Sequence, residues 1–243
     1  DEFDRLSQTL NGILDRIDRL IASVRGTTDN IAHDLRSPLT RHRARIEAAL
    51  ACPPTGDELP ALLERNLADI DQVLSTFQSL LRIANVESGM LRSEFRALDL
   101  AALTRDAIDF MEPMADERCI TLSAGVPAQA PMSGHRDLLF QAVINLIDNA
   151  IKFSPADGTV AVSLQPAPDG WRLEVADQGP GIPDGERARV FERLYRLEGA
   201  RNTPGLGLGL SLVQSVARLH AGRIELQTAT PGLCAVLTLP AGT

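Results

Sequence analysis

The chain has 243 residues, 44% of them hydrophobic, which is long enough for one large or two modest domains, each with its own core. Its net charge of −8, from 24 Lys and Arg against 32 Asp and Glu, argues against nucleic acid as the main partner, because neutralising phosphates needs clustered cations. No apolar run is long enough to span a bilayer, and the three cysteines (Cys52, Cys119, Cys234) lack metal-ligand spacing, which fits idle thiols in a reducing cytoplasm. The sequence starts at Asp1, without a methionine and already in helical register, so it reads as a piece of something longer.

From Phe3 the apolar positions run Phe3, Leu6, Leu10, Ile13, Ile17, Leu20 and Val24. Alternating steps of three and four are the seam of a coiled coil, and a parallel dimer is expected. Continuing the strict repeat would bury Thr27 and Asp34, whereas stepping through Thr28, Ile31 and Leu35 inserts a four-residue stutter that locally unwinds the supercoil. The stutter falls just ahead of Ile31-Ala-His-Asp-Leu-Arg-Ser-Pro-Leu-Thr40. On a helix, His33 lies off the stripe of Ile31 and Leu35, towards water, and Arg36 and Ser37 share its face. Pro38 cannot donate the hydrogen bond that the Asp34 carbonyl would accept, so the helix bends one turn past the histidine.

This helix is expected to reach about Leu50, where the breaker cluster Cys52-Pro-Pro-Thr-Gly-Asp57 makes a turn. A second helix follows with Leu63, Leu67, Ile70, Leu74, Phe77, Leu81 and Ala84 on one stripe, ending at Ser88-Gly89. Two such hairpins, stripes inward, make a dimeric four-helix bundle.

Beyond about Glu94 strands and helices alternate. Asp99 is a fair N-cap for a helix through Ala115, and Ile120-Thr-Leu-Ser reads as a strand. Asp137 to Phe153 reads as a helix burying Leu139, Val143, Leu146 and Ile147. Two period-two runs, Val160–Leu164 and Trp171–Ala176, pair through Ala167-Pro-Asp-Gly170. A helix from about Leu208 to His220 precedes two last strands, Arg223–Thr228 and Cys234–Leu239, which turn at Thr230-Pro-Gly232. The fold class is α+β: a helical hairpin, then an α/β sandwich with strands in antiparallel pairs and helices on one side.

Four stretches of this second half carry chemistry. In Asn145-Leu-Ile-Asp-Asn149-Ala-Ile-Lys152-Phe153 the two amides and the amine fall at i, i+4 and i+7, on one helix face, where they can hold hydrated Mg²⁺ and triphosphate oxygens. The same spacing also describes the polar face of an ordinary amphipathic helix. In Asp177-Gln-Gly-Pro-Gly-Ile-Pro183, glycines let backbone approach a ligand, and a carboxylate at a strand end can accept from an exocyclic amine. Val190-Phe-Glu-Arg-Leu-Tyr-Arg196 sets aromatics between cations. Gly205-Leu-Gly-Leu-Gly-Leu-Ser211 runs into a helix, so glycine amides and a helix N-terminus can together receive phosphate. It is neither a Rossmann fingerprint nor a Walker A loop, since Leu210 stands where the latter needs lysine.

In this order the four stretches resemble the N, G1, F and G2 boxes of the ATP-binding domain of sensor histidine kinases, whose fold is the Bergerat type. His33-Asp-Leu-Arg-Ser-Pro-Leu-Thr40 resembles the phosphoacceptor box of the same family, and Asp1-Glu-Phe-Asp-Arg-Leu6 resembles the end of a HAMP linker. The resemblance divides the chain into a HAMP end (1–24), a dimerisation and phosphotransfer hairpin (25–90) and a catalytic ATP-binding domain (91–243). It implies that His33 is phosphorylated from ATP and passes the group to an aspartate of a response regulator, with Asp34 as orienting base. Asn149 would coordinate Mg²⁺, Asn145 and Lys152 would contact phosphate, and Asp177 would read the adenine amine. Gly179 and Gly181 would shape the pocket, with Phe153, Ile182, Leu206 and Leu208 completing the nucleotide set. A lid over 184–204 would close onto phosphate at Gly205, Gly207 and Gly209. The family setting is the cytoplasmic part of a homodimeric bacterial inner-membrane sensor.

The sequence departs from the family pattern in places. Asp34 replaces the usual glutamate, and Ser37 stands where threonine or asparagine is usual, at a position tied to dephosphorylating the regulator. Thr203 and Pro204 replace glycine ahead of Gly205. His42, His135 and His220 fit plain surface or helix-end roles, His220 with Gly222 as a C-terminal cap. The alternatives are a dimeric signalling scaffold that binds nucleotide without transferring it, and a conformational clamp ATPase.

Overall fold

The computed structural model describes residues 58–200 and 207–241, together with Thr40, Ala44 and Glu47. The coiled-coil stripe, residues 31–39 with the His33 box up to Leu39, the 52–57 turn, Thr203, Pro204, Gly205 and Leu206 lie outside the described residues. The chain divides into two compact units, Asp1–Ser88 and Gly89–Thr243.

In the first unit the described element is helix α1, Glu58–Glu87. Thr76, Leu80, Ile83 and Val86 are buried, and they recur at helical spacing on one face. The expected seam residues Ile70, Leu74, Phe77 and Leu81 remain 43, 53, 40 and 41% exposed, an apolar stripe open in the single protomer. The Ser88 hydroxyl turns back to donate to the Asn85 carbonyl at 2.7 Å, and the helix gives way to Gly89 at φ 71°.

The second unit starts with a 3-10 turn, Met90–Glu94, and strand β1, Arg96–Asp99. Helix α2 (Leu100–Asp116) follows, then β2 (Thr121–Gly125), β3 (Pro131–Gly134) and helix α3 (Arg136–Phe153). Strands β4 (Thr159–Ala167) and β5 (Gly170–Ala176) form a hairpin, and helix α4 (Gly209–Leu219) leads into β6 (Arg223–Thr228) and β7 (Leu233–Pro240). The main sheet has order β2-β4-β5-β7-β6, and β1 pairs with β3 in a separate ribbon. The sequence reading missed both strands of that ribbon. Its weld is the Asp99 carboxylate, whose Oδ1 accepts from the Ala101 amide at 3.0 Å, capping α2, and from the Ala130 amide at 2.7 Å. These bonds hold its pKa below the ordinary carboxylate value, the Ala130 bond foremost.

The expectation of antiparallel pairs is corrected at one junction: β2 runs parallel to β4, Thr121 opposite Thr159. The chain between them passes through β3 and α3, and a helical crossover returns a strand in the same direction where a hairpin would reverse it. The other three junctions are antiparallel. One sheet face is continuous and apolar, because Val162 and Leu164 sit opposite Val175 and Leu173, which sit opposite Ala235 and Leu237. All six are buried. Helix α2 packs at β2, α3 over β4 and β5, and α4 over β6 and β7. Each leucine or valine fully buried there stabilises the unit by about 1.5–3 kcal/mol, and this packing fixes where the polar face of α3 points.

Candidate functional site

Helix α3 buries Leu139, Val143, Leu146, Ile147, Ala150 and Ile151, each at most 3% exposed, against the sheet. Asn145, Asn149 and Lys152 are therefore rotated away from the core, and all three are half-buried. The start of α4 is set against this amide pair. A β-carbon at Gly209 would lie 3.7 Å from Asn149 Nδ2 and 3.8 Å from Asn145 Cγ, ordinary contact distances. Leu208, the residue ahead of α4, provides no side-chain cap. An uncapped helix start leaves its first N–H groups and the positive end of the helix dipole for an anion. Among the described residues Asn149 makes no hydrogen bond, while Asn145 Oδ1 accepts a long bond of 3.4 Å from Gln141. Lys152 is engaged: its ammonium donates to Asp148 Oδ2 at 2.6 Å, one turn earlier. A phosphate contact by Lys152 would therefore compete with that carboxylate.

The other wall is built at the end of β5. Asp177 is 9% exposed, and its Oδ1 accepts from the Gly179 amide at 2.8 Å and the Leu233 amide at 3.2 Å. Among the described residues Oδ2 accepts nothing. Burial pushes the Asp177 pKa up, and the Gly179 and Leu233 amides pull against it. Gly179 lies so close to the Phe153 carbonyl that a β-carbon there would overlap it, which brings the glycine loop to the end of α3. Next to it, the Gln178 Oε1 accepts from the Thr159 amide at 2.9 Å and ties the loop to β4. Gly181 has φ 71°, and a β-carbon on it would meet the Gly232 carbonyl oxygen at 3.2 Å. Ile182 is half-buried and its carbonyl accepts from Arg187 Nε at 3.3 Å.

The aromatic-cationic segment joins from the third side. The Leu194 amide donates to the Gly207 carbonyl at 3.0 Å. Gly207 takes φ 71°, and a β-carbon there would meet the Tyr195 carbonyl at 2.7 Å, so this crossing requires glycine. The Tyr195 hydroxyl donates to the Glu186 carboxylate, and Arg189 lies over the Tyr195 ring at 4.4 Å.

Gly209 is thus set beside Asn145 and Asn149, and Gly179, which is bonded to Asp177, beside Phe153 at the end of the same helix. Sequence reasoning missed Leu233 and Gly232, whose part is played by main chain. It also underread His220, which is 5% exposed and stacked on Phe95 at 4.5 Å, far from any ligand role. His220 Nε2 accepts from the His135 amide at 3.0 Å, so Nδ1 carries the proton and donates to the Val216 carbonyl at 2.8 Å. Burial lowers its pKa. The left-handed residue behind it is Ala221, φ 54°, where a glycine cap was expected at Gly222.

Among the described residues no three His, Cys, Asp or Glu side chains cluster to hold a metal. The Asn149 side chain carries one oxygen that can ligate Mg²⁺, an ion that takes few protein ligands and completes its shell with water and phosphate oxygens.

Residues 134–243 match the family described as histidine kinase-, DNA gyrase B- and HSP90-like ATPases. The sensor protein IrlS of Burkholderia pseudomallei is 30% identical over 223 residues, 91% of this chain and 48% of that protein. The chain spans about half the length of the curated relatives it matches. A solved structure of the mycobacterial sensor histidine kinase MprB is 34% identical, covers 60% of this chain and 97% of its own, and superposes with a TM-score of 0.52. The histidine kinase AdeS of Acinetobacter baumannii, 23% identical, shares the fold with a TM-score of 0.66 over 86% of this chain and 98% of its own.

Proposed function

This chain belongs to the sensor histidine kinases of two-component systems, and on that premise we propose that it phosphorylates itself on His33 from ATP and hands the group to a receiver aspartate. The observation that carries the proposal is the set of unfilled polar groups around α3. Among the described residues, the Asn149 amide, the first N–H groups of α4 and Asp177 Oδ2 have no hydrogen-bond partner, which supports a reading in which the first two take a nucleotide's phosphates and the last its base.

Asp177 accepts from the exocyclic amine of adenine. Asn145 and the first amides of α4 receive phosphate oxygens, and Lys152 joins them by exchanging its Asp148 partner. Asn149 would hold Mg²⁺, which would supply positive charge beside the phosphates. A nitrogen of the His33 imidazole attacks the γ-phosphorus in line, and the bond from that phosphorus to the bridging oxygen of ADP breaks. Asp34 orients the imidazole. The phosphoryl group then moves to the regulator's aspartate, and Ser37 orients water for the separate hydrolysis of that aspartyl phosphate, which returns the carboxylate and releases inorganic phosphate. Residues 1–24 end a HAMP module, 25–90 form the phosphotransfer hairpin and 91–243 the ATP-binding domain. The open stripe of Ile70, Leu74, Phe77 and Leu81 supports a homodimer through the helical hairpin. Among the described residues no helix is long and apolar enough to cross a membrane. The chain spans about half the length of its curated relatives, and we infer that the full-length protein carries a membrane anchor in the part not spanned and keeps this part on the cytoplasmic side.

The test is incubation with γ-labelled ATP and Mg²⁺. Acid-labile, alkali-stable label that vanishes in His33→Ala is expected. Nucleotide binding without label would make the protein a scaffold, and free phosphate without label a clamp ATPase.

A further inference from the structure

The turn between β6 and β7 does more than reverse the chain. Its last residue, Gly232, has φ 103°, a conformation that side-chain-bearing residues rarely adopt. A β-carbon on Gly232 would overlap the Asp177 carbonyl oxygen and stand 2.9 Å from Asp177 Oδ1. The turn is closed by the Ala229 amide, which donates to the Gly232 carbonyl at 3.1 Å. With the turn seated this closely, Asp177 and Leu233 bond each other twice. The Asp177 amide donates to the Leu233 carbonyl at 2.9 Å, and the Leu233 amide donates to Asp177 Oδ1 at 3.2 Å.

The second of these bonds bears on recognition. A buried carboxylate free to rotate could turn either oxygen to a ligand, or take up a proton and present a hydroxyl. Here Oδ1 is held by two main-chain N–H groups from different segments, Gly179 in its own loop and Leu233 at the start of the neighbouring strand β7. That leaves Oδ2 as the oxygen for a donor in the pocket. A main-chain donor also resists substitution, because the side chain at position 233 can change without removing it.

We infer that Gly232 and the Leu233 amide are positioning groups for base recognition: the turn clamps Asp177 so that a single, fixed oxygen accepts from the adenine amine. The inference rests on the assignment of Asp177 to adenine made above.

In the clamped state the Leu233 N–H also favours the charged form of Asp177, against the burial that disfavours it. Removing that N–H therefore has two consequences. ATP affinity falls, and its loss towards acid pH begins at a higher pH. A purely structural role for the turn would not move the second quantity.

The experiment titrates ATP with Mg²⁺ into the full chain across a pH series, using wild type, Asp177→Asn, Gly232→Ala and a chain in which the Leu233 amide is replaced by an ester. The expected result is a loss of ATP affinity of about tenfold or more in the last two, the scale of one hydrogen bond to a charged group. The acid limb should also shift upward in the ester variant while its near-ultraviolet dichroism stays native. An ester variant that keeps wild-type affinity and acid limb, while Asp177→Asn loses ATP, overturns the clamp and leaves the adenine assignment standing. Normal ATP binding by Asp177→Asn overturns the assignment and the clamp with it. Should Gly232→Ala fail to fold, the ester variant decides alone.

Discussion

Helix α3 has a buried titratable group at each end. At the start, His220 accepts from the His135 amide on Nε2, donates from Nδ1–H to the Val216 carbonyl and lies flat on Phe95. At the finish, Asp177 beside Phe153 has both N–H bonds on Oδ1 and none on Oδ2 among the described residues. Both groups are at least 90% buried, so burial alone does not separate a scaffold residue from a binding residue. The difference lies in unused capacity. A polar group whose bonds are all made locally stabilises the fold, whereas one left partly open in a cleft is kept for a ligand.

The largest expected effect tests the closed end. His220→Ala removes a stacked ring and two hydrogen bonds from a sealed site, and should lower stability by about 3 kcal/mol in urea unfolding. Below the transition, the folded fraction should bind ATP as wild type does. A variant with normal stability but weakened nucleotide binding would reverse the roles of the two ends.

Asn149→Ala probes the open end. The amide is half-buried and makes no hydrogen bond among the described residues, so the thermal midpoint should stay within a few degrees. Affinity for ATP with Mg²⁺ should fall about ten- to a hundredfold, the scale of an interaction with a charged ligand. Calorimetric titration reads the second quantity and scanning calorimetry the first.

Titration sharpens the contrast, because the two groups have opposite signs. The folded-state pKa of His220 is lowered from 6.5, so between that lowered value and 6.5 the unfolded chain binds more protons. Stability from this site is therefore lost as pH falls through that window. For Asp177 the folded-state pKa is raised from 3.8, so the folded chain holds more protons above 3.8 and up to its raised value. Its contribution makes the protein less stable as pH rises through that window. Each slope is at most about 1.4 kcal/mol per pH unit. His220→Gln should flatten the first in pH-resolved urea unfolding, and Asp177→Asn the second.

The smallest effect is expected at Tyr195→Phe, which removes the hydroxyl bonded to Glu186 in a solvent-reached segment. Stability should change by less than about 1 kcal/mol. Proteolysis within 184–200 should speed up if that bond restrains the segment, and an unchanged cleavage rate would assign the restraint to the Leu194–Gly207 bond instead.

What the sequence made legible follows from the range of the forces involved. Helices α2, α3 and α4 could be read because their apolar spacing and the Asp99 cap are local signals. The β4–β5 hairpin could be read from alternation and an Asp-Gly turn. Strands β1 and β3 could not, being four residues each, with Pro131 opening the second. The parallel join of β2 to β4 depends on a crossover through α3, which periodicity within either strand does not encode. At the site, Asn145, Asn149, Asp177 and the glycines were visible as side-chain chemistry in ordered stretches. The Leu233 contact was invisible because any residue but proline supplies the same N–H. His220 was misjudged for a related reason: a histidine at a helix end looks the same in sequence whether water or Phe95 faces it.

Strand β7 lies between β5 and β6, although it follows both in the chain. During synthesis β5 and β6 leave the ribosome with the slot between them empty, each presenting an unpaired row of amides and carbonyls. Until residues 233–240 arrive, Leu173, Val175 and Leu226 lack their cross-strand neighbours Leu237 and Ala235. The nascent unit is then most open to misassembly and chaperone capture just before β7 emerges, and insertion of that strand closes both rows at once.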